Sequence, residues 1–96
     1  IPGVVADQVF PGMSAYCASK VAHGAYLQTV TKEWRRHKVR VIDVRIGHTE
    51  TGLATRPLFG NALTMPAGHS ADDVAQGIIR AIEQGTGIYR DAEILN

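Results

Sequence analysis

The sequence predicts an α/β domain organised around a parallel sheet. Two observations carry that reading. A helical stripe over residues 14–37 runs straight into a short β-branched run over residues 39–46, as in half of a βαβ unit. A second, well-capped helical pattern begins at Ser70 and is followed by another apolar stretch, "GIYRDAEIL". Helices alternating with short buried strands fit a parallel sheet, because parallel neighbours need a helical crossover between them.

Each element has a local reason. Pro2, Gly3, Pro11 and Gly12 punctuate the first residues as loop, with Val4, Val5 and Ala6 as a strand end or buried loop between them. From Ser14 the chain carries neither Gly nor Pro for a long stretch, apart from Gly24. Cys17, Ala18, Val21, Ala22, Ala25, Val30 and Trp34 recur mostly three or four apart, which draws one face of a helix. Ser14 is the expected N-cap. Lys32, Arg35, Arg36, His37 and Lys38 crowd the end, where cations oppose the negative pole of the helix. The run "VRVIDVRI" reads as a strand with Val39, Val41, Ile42, Val44 and Ile46 inward, ended by Gly47. "SADD" places an acid three residues after a serine cap. Val74, Ile78, Ala81 and Ile82 share a face, Gly85 is placed to stop the helix, and residues 87–95 read as a last strand.

Composition narrows the function classes. The 96 residues suffice for one small domain, with 45% hydrophobic and 20% charged residues and a net charge of +1. That charge gives no bulk attraction to nucleic acid or membrane. No apolar run is long enough to span a bilayer, and no signal peptide is evident. A single cysteine, Cys17, cannot close an internal disulfide, so a reducing, cytoplasmic setting is the default. His23, His37, His48 and His69 are scattered without ligand spacing, so no metal site is expected. The opening Ile1-Pro2-Gly3 reads as a chain entered in mid-loop, the mark of a fragment.

"SAYCASKVA" holds the candidate chemistry. Tyr16 and Lys20 are four apart, hence on one helix face one turn apart. A free phenol, with a pKa of roughly 10, is a poor base at neutral pH. A fixed positive charge nearby favours the phenolate, which makes a tyrosine a workable general acid/base. Ala18 and Ser19 between them allow a cofactor or another backbone to approach. Tyr–Lys pairs at this spacing are also common on helix surfaces, so the pair alone leaves the bland reading open.

The surroundings strengthen it. "PGMSAYCASKVA" before a long helix, then "VRVIDVRIGHTETGL", then "SADDVAQGIIRAI", in that order, resemble the short-chain dehydrogenase/reductase family over nearly the whole chain. The resemblance implies the C-terminal half of a Rossmann-type, doubly wound parallel sheet, with residues 1–96 forming part of a single dinucleotide-binding catalytic domain. It implies NAD or NADP as cofactor and hydride transfer between nicotinamide and an alcohol or carbonyl substrate. It casts Tyr16 as the catalytic acid/base, and Lys20 as the residue that holds the nicotinamide ribose and assists the tyrosine. It places Gly47, Thr49 and Thr51 at the cofactor: Gly47 as the glycine of the usual Pro-Gly, Thr49 through its backbone at the carboxamide, and Thr51 at the carboxamide or phosphate end. Ile46 stands where the family usually has proline, and Thr49 where an aliphatic residue is commoner.

The family's glycine-rich phosphate loop, relay asparagine and catalytic serine do not appear in these residues. Gly3 occupies the nearest spacing for the serine, which is therefore expected upstream, and Ser14 is read as a cap. The resemblance also implies a homodimer or homotetramer, built partly on the helix that carries Ala18, Ala22 and Ala25. Phe10, Leu53, Leu58, Phe59 and Met65 either line an apolar substrate pocket or pack a core. His48 either touches the ligand or is a solvated loop residue. Cys17 is read as a buried, inert thiol, and Trp34 as structural. The competing reading is a truncated, non-catalytic module that contributes at most an oligomer interface, and the isolated chain is expected to be inactive.

Overall fold

The computed structural model describes residues 1–51 and 67–95. Helix α1 spans Ser14–Glu33. Its entry is a turn in which Gly12 adopts φ 81°, a left-handed value that glycine tolerates without a Cβ clash. The cap position belongs to Met13, and Cys17 N–H donates to the Met13 carbonyl at 2.7 Å. Ser14, expected as the cap, is instead the first helical residue and makes no capping bond. The helix also stops earlier than its periodicity suggests. Trp34 closes it, Arg35–His37 form a single 3₁₀ turn, and Lys38 turns left-handed at φ 60° to redirect the chain.

Strand β1 is Ile42–Arg45 and strand β2 is Gly87–Arg90; they pair in parallel, with Ile42 opposite Gly87 and Arg45 opposite Arg90. The strand expected from residue 39 thus begins three residues later, leaving Val39 exposed. The cause is its partner: the ladder can start only where the second segment arrives. There Val41 N–H donates to Thr86 Oγ1 at 3.2 Å and Gly87 N–H donates to the Val41 carbonyl at 3.1 Å. The other edge of β1 is bordered by the start of the chain. Gly3 N–H reaches the Val44 carbonyl at 3.2 Å and Val4 N–H the Ile46 carbonyl at 2.8 Å, before Val4–Ala6 curl into a 3₁₀ turn.

Helix α2, Ala71–Gln84, lies between the two strands in sequence and completes a β1–α2–β2 unit. Ser70 caps it as expected, its Oγ accepting from Asp73 N–H at 3.5 Å, and Gly85 ends it at φ 105°. The last stretch departs from expectation. The strand stops at Arg90, and Asp91–Ile94 form a short helical turn, α3. Arg90 N–H donates to Glu93 Oε2 at 2.9 Å, a local bond that favours the turn over continued strand.

β1 is covered on both faces. Val44 and Ile46 pack with Val74 and Ala81 of α2, Tyr89 of β2 and Ile94 of α3. Gly77 lets α2 lie directly against the Ile94 carbonyl, where a Cβ would collide with backbone. The opposite face carries Asp43 and Arg45, which are 3% and 5% exposed. Arg45 donates to Asp43 at 2.9 Å and to Asp7 at 2.7 Å, and Asp7 also accepts from Arg90 at 2.8 Å. Gly24 of α1 rests on this network: a Cβ there would stand 3.1 Å from an Arg45 nitrogen. A helix on either face of a parallel strand is the arrangement that buries such strands completely. Cys17, Gly24 and Val30 are the buried residues of α1. Ala18, Val21, Ala22, Ala25 and Trp34, expected on the same inward stripe, are exposed.

Candidate active site

Two groups of the residues singled out from the sequence lie at different places in the fold. The first is at the start of α1. Helical geometry sets Tyr16 and Lys20 one turn apart, and Lys20 Nζ stands 5.5 Å from the centroid of the Tyr16 ring. This is a cation–π arrangement, with the ammonium over the ring face. Tyr16 is 45% exposed, and no hydrogen bond engages its hydroxyl among the described residues. The pair is therefore pre-aligned and open to a ligand.

The second group lies past the carboxyl ends of β1 and β2, where open α/β sheets bind their ligands. Gly47 N–H donates to Asp91 Oδ1 at 2.9 Å. His69 Nε2 lies 3.2 Å from Asp91 Oδ2. Thr49 forms a parallel bridge with His69, through His69 N–H to the His48 carbonyl at 2.8 Å and Glu50 N–H to the His69 carbonyl at 2.9 Å. Glu50 Oε1 accepts from Gly68 N–H at 2.7 Å and lies 3.3 Å from His48 Nε2. Thr49 Oγ1 donates back to the Gly47 carbonyl at 3.2 Å, and Thr51 N–H to the Thr49 carbonyl at 2.9 Å.

In a parallel bridge the bridged residue turns its own N–H away from the partner strand. The Thr49 N–H accordingly has no acceptor among the described residues. A backbone donor at Thr49 and the three-donor ammonium of Lys20 are groups of the kind from which a carboxamide oxygen or a ribose hydroxyl accepts. No hydrogen bond or ion pair joins Tyr16 or Lys20 to Gly47 or Thr49 among the described residues. His48 Nε2 lies 3.3 Å from the exposed Glu50 carboxylate, and its side chain is half-buried.

Asp91, His69 and Glu50 escaped the sequence reading as site residues. Asp91 is 44 residues from the glycine it binds, and no local pattern reports such a contact.

An open apolar groove of about 770 Å³ runs beside α1, lined by Val9, Phe10, Cys17 and Val21 among others. Tyr16 and Lys20 are not among its walls, so Phe10 does not face the tyrosine–lysine pair through it. Cys17 is buried, with its Sγ 3.4 Å from Phe10 N–H. Leu53, Leu58, Phe59 and Met65 lie outside the described residues. Among the described residues there is no cluster of histidine, cysteine or carboxylate side chains able to hold a metal ion, and no helix long and apolar enough to cross a membrane.

Comparison with known proteins adds one match. The family model described as short chain dehydrogenase covers residues 1–57, a span that includes Tyr16, Lys20, Gly47, Thr49 and Thr51. No curated protein and no solved structure matches the chain.

Proposed function

This chain belongs to the short chain dehydrogenase family, and from that premise we propose that it is the C-terminal part of an NAD(P)-dependent oxidoreductase domain acting on an alcohol or carbonyl substrate. The observation that carries the proposal is the alignment of Lys20 Nζ over the exposed Tyr16 ring at 5.5 Å.

A nicotinamide held by Lys20 and the Thr49 backbone would supply hydride chemistry at the substrate carbon. The residues of this chain handle the rest. In the reducing direction the Tyr16 hydroxyl gives its proton to the carbonyl oxygen as the new C–H bond forms; in the oxidising direction it takes the proton back. Lys20 does two things: its charge stabilises the oxygen anion left on Tyr16, and its N–H groups hold ribose hydroxyls. The Thr49 N–H orients the carboxamide, with Thr51 beside it, and the Gly47 turn sets where both stand.

In the proposal the glycine-rich phosphate loop and the catalytic serine are supplied by residues outside this segment. The chain is cytoplasmic and works as a homodimer or homotetramer. A second reading, a non-catalytic module that only assembles, draws on the exposed apolar residues of α1, Val21 at 42% and Tyr26 at 56%.

The test is to give the full-length protein NADH or NADPH with a panel of aldehydes and ketones. Cofactor-dependent reduction by the full-length protein is the expected result. The segment alone should neither react nor show dinucleotide binding by isothermal titration. A full-length protein inert with both cofactors overturns the oxidoreductase reading. Micromolar dinucleotide binding by the segment alone overturns the claim that its phosphate site lies elsewhere.

A further inference from the structure

Asp91 stands where three parts of the fold meet. It follows β2 directly, and the parallel register brings the ends of β1 and β2 out side by side, Arg45 opposite Arg90. One carboxylate oxygen accepts the Gly47 N–H at 2.9 Å and the other lies 3.2 Å from His69 Nε2. His69 is itself bridged to Thr49. The carboxylate thus closes a ring: Gly47 to Asp91, Asp91 to His69, and His69 back to the chain at residues 48–50. The space around Gly47 has the same shape. A Cβ there would stand 3.3 Å from Asp91 Oδ2, tighter than most Cβ contacts, and 3.4 Å from His69 Nε2, at the near edge of ordinary contact. A glycine at this position lets the carboxylate and the imidazole close on the backbone together.

We propose that Asp91, braced by His69, is a positioning residue that fixes the Gly47–Thr49 turn in the orientation that receives the nicotinamide. The inference rests on the cofactor-seating role assigned to that turn. Asp91 touches neither cofactor nor substrate in this account; it acts through the Gly47 amide. A charge-assisted bond to a backbone N–H is strong and directional. Without it the turn keeps its links to residues 68–69 but loses its anchor to the first residue of α3. The Thr49 N–H, one residue beyond His48, then loses its fixed direction, and misplacement of a positioning group on the ångström scale is costly.

The experiment uses the full-length protein and three readouts. Asp91→Ala should raise the KM for cofactor about tenfold to a hundredfold, the scale of one charge-assisted hydrogen bond. The kcat at saturating cofactor should fall less than it does in Tyr16→Phe, because the proton-transferring hydroxyl is untouched while the carboxamide is held less firmly. Asp91→Asn, which keeps an oxygen acceptor for the Gly47 amide, should restore most of the loss. In the wild type, the Gly47 amide should be protected from hydrogen exchange. An unchanged cofactor KM in Asp91→Ala, or an Asn variant as impaired as the Ala variant, overturns the proposal while leaving the oxidoreductase reading in place. A freely exchanging Gly47 amide in the folded wild type does the same without any variant. A wild type that binds no dinucleotide overturns both together.

Discussion

At the start of α1, Tyr16 stands 45% exposed with Lys20 over its ring. At the carboxyl ends of β1 and β2, Gly47, Thr49, His69 and Asp91 are tied into a closed set of bonds spanning three segments of the chain. Under the proposed function the two regions are built differently because they would be asked for different things. A group that exchanges protons with substrate must be approachable and held by little more than its own helix. A surface that receives a cofactor has to be fixed before the cofactor arrives, and that takes support from distant parts of the fold. Further along the sheet, the Asp43–Arg45–Asp7–Arg90 network ties β1 to the start of the chain and to the end of β2.

The sharpest way to break the comparison is Tyr16→Phe in the full-length protein. The ring remains and Lys20 can still lie over it, so cofactor affinity and melting temperature should hold. Turnover should fall about 10²–10⁴-fold, the scale of a single general acid/base. Steady-state kinetics beside a cofactor titration checks this, and a variant keeping half the wild-type kcat contradicts it.

Arg45→Ala should show the opposite pattern, with damage to the fold first. It leaves Asp43, 3% exposed, without the guanidinium that neutralises it. Breaking a buried pair from one side costs about 3–5 kcal/mol, readable as a lower midpoint in urea. Replacing both members with apolar residues, Asp43→Leu with Arg45→Met, should recover much of that loss. If Arg45→Ala melts like the wild type, the strand side is not the rigid half.

Lys20→Met should weaken cofactor binding about tenfold or more while changing stability by roughly 0.5–1 kcal/mol at most, the worth of an exposed cation–π contact. An unchanged dissociation constant would make Lys20 a surface residue.

The mildest effect concerns acid. Hydrogen bonds from Arg90, helped by Arg45, lower the Asp7 carboxyl from 3.8 to about 2. A depressed carboxyl contributes its stability above the unfolded value and loses it as the proton returns. Stability should therefore decline as pH falls from 3.8 toward about 2, and Asp7→Asn should flatten that part of the profile. An identical acid limb in wild type and variant would show that the Asp7 pairs contribute nothing.

What was legible in the sequence follows the same division. Tyr16 and Lys20 could be paired from spacing alone, because a helix fixes which residues share a face. Ser70 and Gly85 marked the ends of α2 for equally local reasons. The strand lengths were not legible, because Val39 belongs to β1 only if a partner reaches it, and the partner arrives at Thr86 and Gly87. Asp43 and Arg45 look like the outward half of an alternating strand. They are buried because α1 covers that face and Asp7 returns to meet the guanidinium. Asp91 was hidden twice, by its distance from Gly47 and by being read as strand. The helical turn at Asp91–Ile94 depends on Glu93 reaching back to the Arg90 amide.

The two regions share no hydrogen bond among the described residues, and the account joins them through the cofactor. The most direct test is to follow the backbone and side-chain resonances of the isotopically labelled full-length protein while NADH or NADPH is added. The account predicts that the Thr49 amide, the Lys20 ammonium and the Tyr16 ring shift together along one binding curve. A dinucleotide that binds tightly while leaving either the Thr49 amide or the Tyr16–Lys20 pair unmoved would contradict it.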